Sequence, residues 1–238
     1  MNIKTVTVIG ANGTLGIGVS GIFASFGNAE IYMVARSLEK AEKAIEKSAM
    51  SVKAHSITRN MKAKTYEDLK KCIENSDVIV EAVAEDYKIK KEIHKQINEY
   101  MKKEAISTTV TSGISINKLA ECYSEENRKK FIGMHFFNPP YSLQLCELIA
   151  SEKTDIEVEN KFKEYLEKIL YRKVIKTKDK PAFLANRIGF QFINKTMQLA
   201  EKYKNDGGID YIDTILGCFT GRNMPPLYTA DFVRIRCT

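Results

Sequence analysis

The stretch Val8-Ile9-Gly10-Ala11-Asn12-Gly13-Thr14-Leu15-Gly16 constrains this chain more than any other. Before it, the apolar run Ile3–Ile9 has the pattern of a strand. After it, Thr14–Phe26 carries the small and apolar residues of a packed helix. Six of the thirteen glycines fall between Gly10 and Gly27, and Gly10, Gly13 and Gly16 sit where strand turns into helix. Glycine keeps such a turn tight. It also lets backbone amides approach a pyrophosphate at a helix N-terminus, where the dipole favours negative charge. A glycine triplet alone is a weak signal, but the strand before it, the helix after it and its address at the chain start make it a strong one. Gly10, Asn12, Gly13, Thr14, Leu15 and Gly16 are therefore the candidate cofactor-binding residues of the loop.

The rest of the chain fits a dinucleotide-binding plan. Ile31–Ala35 is a second strand, followed by Ser37 as N-cap of the Lys/Glu-rich helix Leu38–Ser51. Ser51–Lys64 leaves its order open. Tyr66–Asn75 has a helical pattern, Asp77–Val83 is a buried strand and Tyr87–Met101 a further helix; Ala105–Val110 and Phe131–Phe137 continue the alternation. Strands alternating with helices mean βαβ units and a mostly parallel sheet covered on both faces. After Thr177 the character changes. Ala182–Tyr203 is one long amphipathic pattern, Gly207-Gly208 a stop and Ile209–Cys218 a second helix; all five prolines lie at or beyond Pro139. The sequence thus predicts an α/β protein: a Rossmann-type doubly wound sheet over residues 1–178, then a small all-α domain over 179–238, with the boundary near Asp179.

Composition narrows the class. The 44% hydrophobic and 28% charged residues exclude a disordered or fibrous chain, and no apolar run is long enough for a membrane helix. The start, MNIKTVTVIGANG, lacks the form of a signal peptide. The five cysteines, Cys72, Cys122, Cys146, Cys218 and Cys237, are odd in number and form no CxxC pair, so reduced thiols in a cytoplasmic protein are expected, and no metal. The net charge of +7 has two readings, solvated Lys/Glu helix faces or a phosphate-bearing ligand. Basic runs interleaved with aromatics are missing, which sets nucleic acid aside.

The end of the second strand bears on the nicotinamide cofactor. A carboxylate there would bind the ribose 2′-hydroxyl. Glu30 opens the strand instead of closing it, and the strand ends in Val34-Ala35-Arg36-Ser37. Arg36 and Ser37 suit a 2′-phosphate, as does the GxxGxxG spacing, one residue longer than GxGxxG. NADP is suggested beside NAD.

One histidine stands out for chemistry. His135 ends an apolar run in IGMHFFNPP, whereas His55 and His94 lie in polar, helix-like segments and are expected in solvent. Glu147 follows His135 by twelve residues, inside the apolar run LQLCELIA, where an unpaired carboxylate would be costly. If the two runs are neighbouring strands joined through Asn138-Pro139-Pro140, Glu147 can orient the imidazole as a general acid/base.

At these residues the sequence resembles the 3-hydroxyacyl-CoA dehydrogenase family. The resemblance is carried by SDVIVEAVAEDYKIKKEI (76–93), TVTSGISI (109–116), IGMHFFNPPYSLQLCELI (132–149) and DKPAFLANRI (179–188). It implies that His135 is the general acid/base on the 3-hydroxyl and Glu147 its orienting carboxylate. It further implies that Ser112 hydrogen-bonds the substrate oxygen, that Asn186 holds the substrate carbonyl region, and that Glu85 and Lys90 contact the cofactor. The implied substrate is an acyl-CoA, the implied chemistry a hydride transfer at C3, and the implied assembly a homodimer.

Departures from the family pattern are the longer glycine loop, the missing acid after the second strand, and Val110 in place of an asparagine. The chain also ends soon after NMPPLYTADFV, in RIRCT, where the family continues with more helices, so a shortened or incomplete C-terminal domain is expected. Two alternatives stand beside this reading. Another β-hydroxyacid dehydrogenase would place a catalytic lysine where Asn186 and Arg187 lie, and a catalytically weak nucleotide-binding protein would turn nothing over.

Overall fold

The computed structural model describes residues 1–232; the terminal RIRCT with Cys237 lies outside the described residues. Eight strands form one sheet in the order β3-β2-β1-β4-β5-β6-β7-β8. The chain runs β1 (Thr5–Ile9), α1 (Thr14–Ser25), β2 (Glu30–Ala35), α2 (Leu38–Ser51), β3 (Met61–Thr65), α3 (Leu69–Asn75), β4 (Val78–Glu81) and α4 (Tyr87–Tyr100). It continues through β5 (Ile106–Thr109), the short α5 (Ile116–Ala120) and α6 (Glu125–Arg128), β6 (Phe131–Phe136), β7 (Leu145–Ala150), α7 (Ile156–Lys168) and β8 (Lys173–Thr177). The segment left open in the sequence holds a 3-10 helix, His55–Asn60, and then β3. The expected helix at Tyr66 begins as a 3-10 turn, Tyr66–Asp68, before α3.

Every adjacent pair of strands is parallel except β6 with β7. Helices cover both faces. On one face Val8, Phe23, Met33, Val80, Phe162 and Leu166 form a core, and on the other Ile9, Leu69, Ile79, Ile93, Ile97 and Leu119 form a second. This is the doubly wound α/β arrangement, and it explains why β1, β2 and β4 are apolar almost throughout: both faces of each strand are buried. The strand order reverses between β1 and β4, so the crevice for a ligand opens at the carboxyl ends of those strands. β8 was not expected. Its lysine-bearing KVIKT lies on the sheet edge, half exposed, where lysine discourages pairing with another chain.

Packing divides the chain into Met1–Phe183 and a second unit beginning at Leu184. The sequence placed the boundary near Asp179. Asp179 Oδ2, however, accepts hydrogen bonds from Ser115 Oγ, Asn117 N and Asn117 Nδ2 at 2.8–2.9 Å, which anchors that residue to the start of α5 in the first unit. The helix expected from Ala182 starts only at Ala185, because Ala182 and Phe183 both adopt left-handed backbone, with φ of +61° and +49°. The second unit is helical: α8 (Ala185–Lys202), α9 (Gly208–Leu216) and α10 (Pro226–Phe232). Gly207, at φ +109°, supplies the expected stop. No helix among the described residues is long and apolar enough to cross a membrane.

Candidate active site

The glycine loop closes the carboxyl end of β1. Gly10 has φ +79°, and a Cβ there would lie 2.6 Å from the Ala82 carbonyl oxygen after β4, so the position demands glycine twice over. A Cβ on Gly16 would come within 2.6 Å of Gly10 O. The backbone N–H groups of Gly10 and Ala11 both donate to Val34 O at 3.0 Å, which fixes the loop against β2. Gly13 caps α1 without a side-chain hydrogen bond, and the first turn, Thr14, Leu15 and Gly16, holds no acidic residue. Helix amides with no competing cap and no carboxylate fit a pyrophosphate. These residues therefore suit a dinucleotide.

At the end of β2, Arg36 is exposed and Ser37 caps α2, its hydroxyl oxygen accepting from Lys40 N at 3.4 Å. Glu30 opens the strand at its far end and pairs with Lys62 at 2.5 Å. No carboxylate therefore closes β2.

His135 and Glu147 meet across the antiparallel pair of the sheet. They are direct register partners on β6 and β7, and His135 Nδ1 lies 2.7 Å from Glu147 Oε2. Both side chains are almost wholly buried, at 4% and 1% exposure, so the hydrogen bond forms away from water, where it is strongest. The imidazole is flanked by Phe137 and Phe183, with ring centroids 4.7 and 5.5 Å away. With Nδ1–H donated to the carboxylate, Nε2 is the nitrogen left to exchange a proton.

The loop after β5 carries Ser112, which is exposed. Glu85, in the turn before α4, holds that loop: its Oε1 accepts from Ser112 N at 3.0 Å, from Gly113 N at 3.1 Å and from the Thr111 hydroxyl. The Glu85 side chain is 46% exposed. Lys90 behaves differently. It is buried on α4, and its ammonium lies 2.8 Å from Glu81 Oε1, 3.3 Å from Val83 O and 3.5 Å from Glu85 Oε2, three oxygens for three N–H donors. Asn186 sits half-buried in the first turn of α8, in the second unit.

Sequence reasoning missed Glu81 and misplaced His94. His94 was expected in solvent and is instead fully buried. Lys90, Ile93, His94 and Ile97 recur at the spacing of one helix face, and that face of α4 packs onto the sheet. His94 Nδ1 is 2.6 Å from the Tyr123 hydroxyl, which lies 2.5 Å from Ser107 Oγ. His94 Nε2 is 3.3 Å from Glu81 Oε2, without the alignment of a hydrogen bond. Burial drives the His94 pKa down, and its contacts with Glu81 only partly oppose that. At Glu81 burial pushes the carboxyl up, but the His94 ring and the Lys90 charge outweigh it and bring the pKa down to about 2. The signal was present: a carboxylate inside the apolar run VIVEA, like Glu147 in its own strand, needed a partner.

Comparison with known proteins agrees with this arrangement. The sequence profile of "3-hydroxyacyl-CoA dehydrogenase, NAD binding domain" matches residues 5–180. A probable 3-hydroxyacyl-CoA dehydrogenase of Deinococcus radiodurans is 34% identical, over 85% of this chain and 61% of its own length. The human mitochondrial hydroxyacyl-coenzyme A dehydrogenase is 28% identical, over 99% of this chain and 78% of its own. Among solved structures, the (S)-3-hydroxybutyryl-CoA dehydrogenase of Ralstonia eutropha superposes with a TM-score of 0.81 at 31% identity, over 97% of this chain and 82% of that one. A glycine loop suited to a dinucleotide and a buried His–Glu pair in the same sheet thus coincide with a profile match over most of the sequence, and the chain belongs to the 3-hydroxyacyl-CoA dehydrogenase family.

Proposed function

We propose that the protein transfers a hydride between a nicotinamide cofactor and a 3-hydroxyacyl-CoA/3-oxoacyl-CoA pair. The observation that carries this reading is the 2.7 Å His135–Glu147 contact, buried in a dinucleotide-binding sheet. The cofactor, when bound, supplies a two-electron hydride carrier at nicotinamide C4. In the oxidation direction His135 Nε2 takes the 3-hydroxyl proton as C3 gives up hydride, and in reduction it returns that proton to the forming hydroxyl. Glu147 keeps Nδ1 protonated, so that Nε2 faces the substrate as a base, and it stabilises the imidazolium that results. Ser112 donates a hydrogen bond to the substrate oxygen. The relatives whose names state such chemistry support this assignment.

For the cofactor we propose that NADPH serves at least as well as NADH. Arg36 is an exposed, permanently charged fork immediately after β2, no carboxylate there repels a 2′-phosphate, and the Ser37 hydroxyl is adjacent. Assay of the purified chain with acetoacetyl-CoA and each reduced cofactor tests both statements. Oxidation of NADPH at a rate equal to or above that of NADH is expected, and no turnover with either would overturn the dehydrogenase reading.

A further inference from the structure

Glu81 lies at the carboxyl end of β4, under the turn that leads to Glu85, and it is fully buried. Its Oε1 accepts from Val83 N at 2.7 Å and from Lys90 Nζ at 2.8 Å, and its Oε2 accepts from Thr109 Oγ1 at 2.7 Å. The polarity of these bonds runs on. With its own proton given to Glu81, Thr109 Oγ1 accepts from Thr111 N at 3.3 Å. The Thr111 hydroxyl donates to Glu85 and accepts from Ile114 N at 3.1 Å. Glu85 in turn accepts the Ser112 and Gly113 amides, and its other oxygen lies 3.5 Å from the same Lys90 ammonium. Two carboxylates, one buried and one at the surface, therefore share one lysine, and both are tied to the Ser112 loop, Glu81 through Thr109 and Glu85 directly.

Stability alone does not call for such a device. A buried ion pair replaced by apolar groups of similar volume is often neutral or even stabilising. What the carboxylate does and an apolar side chain cannot is accept at both ends. It thereby fixes the direction of each hydrogen bond from β4 to the loop after β5. We propose that Glu81, with Lys90 as its internal counter-ion, is the positioning residue of the Ser112 loop, acting through Thr109, Thr111 and Glu85. Its catalytic consequence rests on the dehydrogenase reading above, in which Ser112 meets the substrate oxygen; the positioning itself does not.

The variants are Glu81→Gln, Glu81→Gln with Lys90→Met, and Thr109→Val, each in the full chain. In Glu81→Gln the amide puts a donor where one carboxylate oxygen accepted, so either the bond to Thr109 reverses or the bond from Val83 N is lost. Removing both charges in the double variant relieves the unpaired lysine and is expected to restore thermal stability towards wild type. Turnover of acetoacetyl-CoA is not expected to return with it. A loop displaced by roughly 1 Å costs up to about 10²-fold in rate, so kcat falls by about that factor while the KM for reduced cofactor moves less. Thr109→Val loses both the bond donated to Glu81 and the one accepted from Thr111 N, and its kcat falls by at least about tenfold. Amide exchange of the Thr111–Ile114 segment, read by mass spectrometry, is expected to quicken in all three variants and needs no turnover. Wild-type kcat together with wild-type exchange in the stable double variant overturns the proposal, as does a kcat that recovers in step with the melting temperature. A wild-type chain inert towards acetoacetyl-CoA with both cofactors sinks the dehydrogenase reading alone, and the exchange comparison still decides for or against Glu81.

Discussion

Glu147→Gln isolates the charge of the carboxylate from its bulk. The amide has nearly the same volume, so the packing around two side chains that are 4% and 1% exposed changes little. The hydrogen bond can also survive, because the amide oxygen can accept from Nδ1. What disappears is the negative charge beside an imidazole that becomes positive as it takes the substrate proton. A hydrogen bond to a charged group contributes about 1.5–3 kcal/mol against about 0.5–1.5 for a neutral one. The difference, about 1–2 kcal/mol, slows the step by about tenfold. Coulomb's law for a full charge pair about 4 Å apart, at an effective dielectric near 20, gives about 4 kcal/mol and bounds the loss at about 10³-fold. The amide NH2 can also face Nδ1 and invert the tautomer, which moves the result away from the lower bound. A fall in kcat of about 10²-fold lies between these limits, and we expect it. The assay compares wild type and variant with acetoacetyl-CoA under saturating reduced cofactor, alongside cofactor affinity by fluorescence and the melting temperature, both expected unchanged. A folded variant that binds cofactor and keeps wild-type kcat would refute the role of Glu147, and with it the argument that the dyad works as a unit.

Three further outcomes follow from the same geometry. His135→Ala removes the proton carrier and is expected to lower kcat by about 10²–10⁴-fold while cofactor titration remains normal, since the glycine loop is a separate part of the sheet; near-normal turnover would defeat the assignment. Arg36→Ala is expected to weaken NADPH about ten- to a hundredfold and NADH little, measured as paired dissociation constants, and an unchanged ratio between them would remove Arg36 from cofactor choice. His94 has its pKa lowered from 6.5 by burial, so in acid the unfolded chain binds a proton that the folded chain refuses: stability is complete above about pH 6.5 and declines as pH falls, with Glu81, lowered from 4.5 to about 2, adding to the loss below about pH 4.5. The melting temperature is expected to drop between pH 7 and pH 5, and His94→Gln to flatten that drop; equal slopes would contradict the buried neutral histidine.

How much of this was legible in the sequence depended on whether the signal was local. The glycine loop could be read because its steric demands arise within a few residues: the φ of +79° at Gly10 belongs to a turn that strand, glycine and helix announce together. The His135–Glu147 pair could be read because β6 and β7 are joined by a short connection, so a histidine and a carboxylate twelve residues apart come into register by topology alone. That Arg36 directly follows β2 was legible for the same reason, since only the local end of the strand mattered. The boundary near Asp179 was not, because the carboxylate that ties this residue down meets Ser115 and Asn117, far back in the chain. β8 was missed because an edge strand half exposed to solvent keeps lysines, and polarity there resembles a linker.

The Glu81 cluster is the instructive failure. Its members come from β4, α4 and the end of β5, and each looks ordinary alone: an acid at the end of a strand, a lysine and a histidine on a Lys/Glu-rich helix. Read by residue type, Lys90 and His94 belong outside. Read by position, they share the inward stripe with Ile93 and Ile97, and an inward lysine four residues before an inward histidine requires a buried anion opposite. Glu81 is the one charge in VIVEA. The rule that found the partner of Glu147, that a carboxylate in an apolar strand must be paired, applies to Glu81 unchanged. It leads to Lys90 and His94 once the helix is read by its stripe and not by its charges.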